Sequence, residues 1–110
     1  MATTTYKILG QQAPAATTAA DLYTVPAATQ AIISSITVSN RTTTAATFRI
    51  SVSPAGAATA NKDYLVYDTQ IGSNGVVTLT LGITLAATDK IRVFASTANL
   101  SFNAFGSELA

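Results

Sequence analysis

Residues 30–53, QAIISSITVSNRTTTAATFRISVS, read as two long strands joined by a polar turn. Taking every second residue of the first half collects Ile32, Ser34, Ile36 and Val38 on one face and leaves Ile33, Ser35, Thr37 and Ser39 on the other, a period of two. The second half repeats it, with Phe48, Ile50 and Val52 on one side and Thr47, Arg49 and Ser51 opposite. Two adjacent strands that each offer one apolar face need a second layer to cover them, so the stretch predicts a layered β domain.

Working outward, residues 4–9 form a short strand with Tyr6 and Ile8 on a shared face. The low-complexity run GQQAPAATTAA follows; with Pro14 and its small residues it reads as an arm or as a loop over the sandwich edge. The chain is therefore divided into an N-terminal strand and flexible arm, 1–20, and a β-sandwich domain, 21–110. Residues 21–25 form a strand ended by Pro26, and 54–62 a loop. In 64–69, Tyr64 and Val66 are expected on one face and Leu65 and Tyr67 on the other, the pattern of a strand in the middle of a sheet. Gly72–Gly75 reads as a tight turn and Val77, Leu79 and Leu81 as an amphipathic strand broken by Gly82.

Ile91 and Val93 point inward from the next strand, Lys90 and Arg92 outward, and Asp89 is expected to bond turn amides before it. Leu100 and Phe102 share a face in the last strand, with Phe105 opposite. About eight strands with turn signals between them, and no helix of useful length, predict an all-β fold. It is an antiparallel β-sandwich of jelly-roll or immunoglobulin-like topology. Its expected core is Ile32, Ile36, Val38, Phe48, Ile50, Leu79, Leu81, Ile91, Val93 and Phe102.

Composition narrows what such a domain can do. A chain of 110 residues is one domain that can fold without staples. Cysteine and histidine are both absent, which removes thiolate and imidazole ligands, thiol nucleophiles and the commonest general base. Net charge is +1, charged residues are 10% of the chain and no block of like sign occurs, which argues against a phosphate-neutralising nucleic-acid surface. No signal-peptide pattern opens the chain and no run approaches a membrane span, so the protein is expected to remain where it is made. Asn40 and Asn99 head sequons that read as chance in a threonine-rich sequence.

Candidate chemistry is sparse. Asp63 and Asp68 lie five apart on one strand, a spacing that sends them to opposite faces as solvated strand ends. Asn61 with Asp63 lacks the acidic clustering of a calcium loop, and Gly72-x-x-Gly75 lacks the helix and lysine of a phosphate loop. Tyr6, Tyr23, Tyr64 and Tyr67 have no accompanying basic groove and read as core or subunit packing. No catalytic, cofactor-binding or metal-ligating residue is assigned, and the protein is expected not to be an enzyme.

The runs LYTVP (22–26), ITVSN (36–40), LAATDKIRV (85–93) and FGSE (105–108) resemble small β-sandwich virion proteins of tailed bacteriophages, cyanophages among them. The resemblance spans about residues 6 to 109 and carries no catalytic signature. It implies a structural protein of the virion, a capsid cement or decoration protein on the major capsid protein, assembled in the host cytoplasm and self-associating as a trimer. The alternative is a tail or fibre component that meets the host surface through loops 41–46 and 54–62. Docking is expected through the N-terminal segment, Ala2 to Ala20, adding a strand to a neighbouring sheet, and through the exposed sandwich edge.

Overall fold

The computed structural model describes residues 2–110. Nine strands run β1 (Thr4–Gln12), β2 (Ala20–Thr24), β3 (Gln30–Asn40), β4 (Ala46–Ser53), β5 (Tyr64–Ile71), β6 (Val76–Leu79), β7 (Ile83–Leu85), β8 (Lys90–Ala95) and β9 (Leu100–Leu109). One sheet has the order β1-β9-β3-β6, with β7 also on β3; the second has β2-β8-β4-β5, and every pairing is antiparallel. β6 meets Ile36–Ser39 and β7 meets Ala31–Ile33, so they are two halves of one edge strand. Gly82, at φ 62°, lies in the break between them. Counting them as one leaves eight strands that shuttle between two four-stranded sheets, the jelly-roll alternative rather than the immunoglobulin-like one.

The two apolar faces meet in a single core in which Ile33, Ile36, Val38, Phe102 and Leu100 of the first sheet oppose Phe48, Ile50, Ile91 and Val93 of the second. Phe48 and Phe102 contact edge to face across the layers, centroids 6.1 Å apart. The expected turn chemistry is present. Asn74 takes a positive φ inside the 72–75 turn, and the Gly75 amide donates to the Gly72 carbonyl. Asp89 accepts from the Ala86 amide, and also from Ala55.

Two expected core residues lie outside. Ile32 is 51% exposed while its neighbour Ile33 is 1% exposed. The register on β9 jumps between Ile33 and Ser35, so Ser34 is an extra residue and alternation restarts one position out of phase. Gly106 sits against this bulge, where an added Cβ would fall 2.0 Å from the Ile32 carbonyl oxygen. Leu81, 48% exposed, lies in the break between β6 and β7, and Leu79 is half-buried. Strand 64–71 is an edge strand, not a central one. An extra residue at Leu65 and positive φ at Asp68 turn Tyr64 and Tyr67 to one side, where their rings meet at 4.9 Å.

The segment read as arm or loop is tied to the sandwich. Gly10–Gln12 continue β1, Pro14 is buried, and the Thr17 amide donates to the Ala95 carbonyl. Gly10 packs so closely on β2 that a Cβ would lie 1.9 Å from the Leu22 carbonyl oxygen.

The bulge assigns opposite roles to two neighbouring isoleucines. Ile36→Ala is expected to cost about 2–5 kcal/mol and Ile32→Ala less than about 0.5 kcal/mol in denaturant unfolding. A large loss at Ile32 would place the bulge elsewhere.

Candidate functional site

The second sheet carries most of the charge, and that charge is spent within the chain. Asp21 on β2 accepts from Lys90 Nζ at 3.0 Å and from Arg92 Nε at 3.1 Å on β8. Arg92 then reaches over β4, donating to Ser53 Oγ at 2.9 Å and to the Ala57 and Gly56 carbonyls at 2.6 and 3.1 Å. These bonds fold the 54–62 loop onto the outer face of the sheet and leave Ser51 and Ser53 buried there. The Lys90 ammonium, with Arg92 behind it, holds the Asp21 carboxyl below its usual range.

Further along the same face, Arg49 pairs with both Asp68 oxygens at 2.7 and 3.2 Å. The guanidinium also lies over the rings of Tyr67, at 4.2 Å, and Phe94, at 4.4 Å. Asp63 is buried and accepts from the Ala60 amide at 2.9 Å, so it closes its own turn, while Asp68 serves Arg49. Those two carboxylates are separate. No group of three or more Asp, Glu, His or Cys that could hold a metal ion occurs among the described residues. Asn40 is buried, its amide donating to the Thr44 and Gly72 carbonyls and its oxygen accepting from Thr42, so its sequon is closed to modification in the folded chain.

The outer face of the first sheet has the opposite character. Its strands contain two charged residues, Lys7 and Glu108, and both belong to inward-facing rows, opposite Gly106–Ile33 and Ala31 respectively. They pair with each other at 2.9 Å, and Glu108 also accepts from the Tyr23 hydroxyl of the second sheet. What remains outward is uncharged: Tyr6 in register with Ser107 and Ile32, Ile8 with Phe105, and Thr4 with Leu109 and Gln30. Tyr6, Ile8, Ile32, Phe105 and Leu109 are all exposed, Tyr6 at 85%. A hollow of about 180 Å³ opens at the Ile32–Leu109 end of this face, lined also by Thr4, Gln30, Ala31, Thr84 and Ser107.

Period-two reading singled out Tyr6, Ile8 and Phe105 but placed Ile32 inward, and it missed the charge asymmetry. That asymmetry needs only the strand assignments, since Lys7 and Glu108 are the only charges in residues 4–12, 30–40, 76–85 and 100–109. Loops 41–46 and 54–62 leave β4 at opposite ends, about 26 Å apart for eight residues of strand, so they do not form one surface.

No protein-family model matches the chain, and no curated protein matches it. Among solved structures, it is similar to a chain in the structure of the infectious bursal disease virus Gx strain. The TM-score is 0.56 and identity 9%, over 98% of this chain and 31% of that one. A likeness to an exo-β-1,3-galactanase from Phanerochaete chrysosporium solved with galactose has a TM-score of only 0.36, at 10% identity, over 100% of this chain and 29% of that one. The first likeness shows a sandwich fold also used in a virus structure, and the chain spans under a third of that neighbour's length.

The Tyr23–Glu108–Lys7 cluster, which ties one sheet to the other, makes stability depend on pH at both ends. The hydrogen bond from Tyr23, then that from Lys7, holds Glu108 below its ordinary 4.5; that contribution is complete above 4.5 and is lost as pH falls through the lowered value. Burial first, then Glu108, pushes the Tyr23 phenol above its ordinary 10.0, so its contribution is complete below 10 and is lost as pH rises through the raised value. The stability difference between wild type and Tyr23→Phe is therefore expected to be flat from about pH 5 to 9 and to shrink on either side. Thermal melts from about pH 3 to 11 check it, and a difference unchanged to about pH 11 would contradict it.

Proposed function

We propose that the chain is a non-enzymatic structural protein of a virion, a capsid cement or decoration protein that docks on the major capsid protein. The observation that carries the reading is the outer face of the first sheet, which is free of charge across four strand positions while exposing Tyr6, Ile8, Ile32, Phe105 and Leu109. Contiguous exposed apolar surface with a polar surround marks an association site. The jelly roll shared with a chain of a virus structure, and the resemblance of four sequence runs to phage virion proteins, support placing that association on a particle. A tail or fibre component is the second reading; the Tyr64–Tyr67 pair on the other sheet, with Tyr67 exposed, favours it.

Docking through an uncharged face rests on apolar burial and hydroxyl hydrogen bonds, which salt screens little. Ile32→Lys, at an exposed position, is expected to leave folding intact and to weaken binding to particles lacking the protein by about tenfold or more. Salt at about 1 M is expected not to release the bound wild type. Quantitative mass spectrometry of particles should find copies comparable to the major capsid protein. A few dozen copies would favour the fibre reading, and release by moderate salt would overturn docking through this face.

A further inference from the structure

The molecule has four sheet edges, and each carries an irregularity. β2 is five residues long with a register shift between Asp21 and Tyr23. β5 carries two register shifts and a positive φ at Asp68. The β6/β7 edge is broken between Leu79 and Ile83. Bulges, breaks and shortness are the features by which edges are kept from pairing with another chain. β1 differs. Its one register shift falls after Ile8, at Leu9, so from Thr4 to Ile8 the register on β9 is unbroken, the residues are all exposed and there is no proline.

The phase of its hydrogen bonds is fixed at the strand's start, where Thr3 and Ala110 exchange both N–H···O bonds at 2.7 and 3.0 Å. In an antiparallel ladder such pairs alternate, so Thr5 with Glu108 and Lys7 with Gly106 bond to β9. The N–H and C=O groups of Thr4, Tyr6 and Ile8 then point away from the sheet, three donors and three acceptors in a row on a free edge.

We propose that this edge pairs with the same edge of a second copy of the chain, the two β1 strands running antiparallel about a twofold axis through Tyr6. Tyr6 of each copy exchanges both hydrogen bonds with Tyr6 of the other, and Thr4 of each pairs with Ile8 of the other. The outward donor and acceptor positions, Thr4, Tyr6 and Ile8, are symmetric about Tyr6, so the edge is complementary to a second copy of itself. In that register the inward-pointing Lys7 faces Thr5 and is already held by Glu108 at 2.9 Å, so no like charges meet. On the outer face the two tyrosine rings lie side by side, and Ile8 covers Thr4. Pairing joins two four-stranded sheets into one of eight and makes the uncharged face continuous across both copies. The inference stands on the edge geometry and holds whether or not the pair then docks on a particle.

Sedimentation of the full chain at concentrations up to about 100 μM tests it. The expected wild-type species has twice the 11.3 kDa mass of one chain. Tyr6→Pro removes an outward N–H that β9 does not use, at an edge position that accepts proline. It should raise the dimer dissociation constant by about tenfold or more while leaving the circular dichroism of the sandwich unchanged. If that variant fails to fold, Tyr6→Lys sets two like charges across the axis and should have the same effect with the fold intact. Only 11.3 kDa species for wild type, a trimer as the resemblance implies, or dimers that survive both substitutions would each overturn the proposal.

Discussion

Phe48 and Phe102 meet edge to face between the two sheets, and the rest of the molecule is arranged so that this layer stays dry. Each strand supplies the layer with alternate side chains, Ile36 and Val38 from β3, Phe48 and Ile50 from β4, Ile91 and Val93 from β8, Leu100 and Phe102 from β9. β3, β4 and β9 place mostly small hydroxyl or amide residues on their other side, and β8 places Lys90, Arg92 and Phe94 there. Burying a Val, Ile, Leu or Phe side chain is worth about 1.5–3 kcal/mol, and no disulfide is present to share the load, so the pairing of two apolar faces dominates stability. A jelly roll meets that need by sending successive strands, apart from the β4–β5 pair, to alternate sheets, which leaves few contacts local in sequence.

Polar groups then secure the seams. Glu108, Tyr23 and Lys7 tie the first sheet to the second at one rim. Arg92 ties β8 to β2 and to the loop that covers β4. Asn40 ties the 41–45 and 72–75 loops together at the far end. With 10% charged residues there is little left over, and what is left over avoids the outer face of the first sheet altogether. An uncharged face on one side and an ion-paired, loop-covered face on the other make the sandwich two-sided, and the two sides suit different neighbours.

The sequence makes the strands and most of the core legible because period two survives in long runs, as in Ile36–Val38, Phe48–Ile50 and Ile91–Val93. It hides the bulges. Nothing in IISSI marks Ser34 as an extra residue, yet that one position turns Ile32 outward and draws Gly106 in beside it. Leu65 does the same on β5, bringing Tyr64 and Tyr67 to one face when simple alternation separates them. The arm-or-loop ambiguity at residues 10–20 has a similar origin: Gly10 reads as flexible, although it is the residue whose missing side chain lets β1 cross under β2. Partners distant in sequence, such as Asp21 with Arg92 and Tyr23 with Glu108, become visible only once strand order is known.

The account depends most on β1 being part of the first sheet, since its outward residues supply a row of the uncharged face and its edge the pairing surface. Amide hydrogen exchange in dilute protein, read residue by residue, tests this directly. Protected Thr5 and Lys7 amides beside rapidly exchanging Tyr6 and Ile8 amides are the expected result, with β9 and β3 protected throughout. Uniformly rapid exchange from Thr4 to Ile8, with β9 still protected by β3, would contradict it.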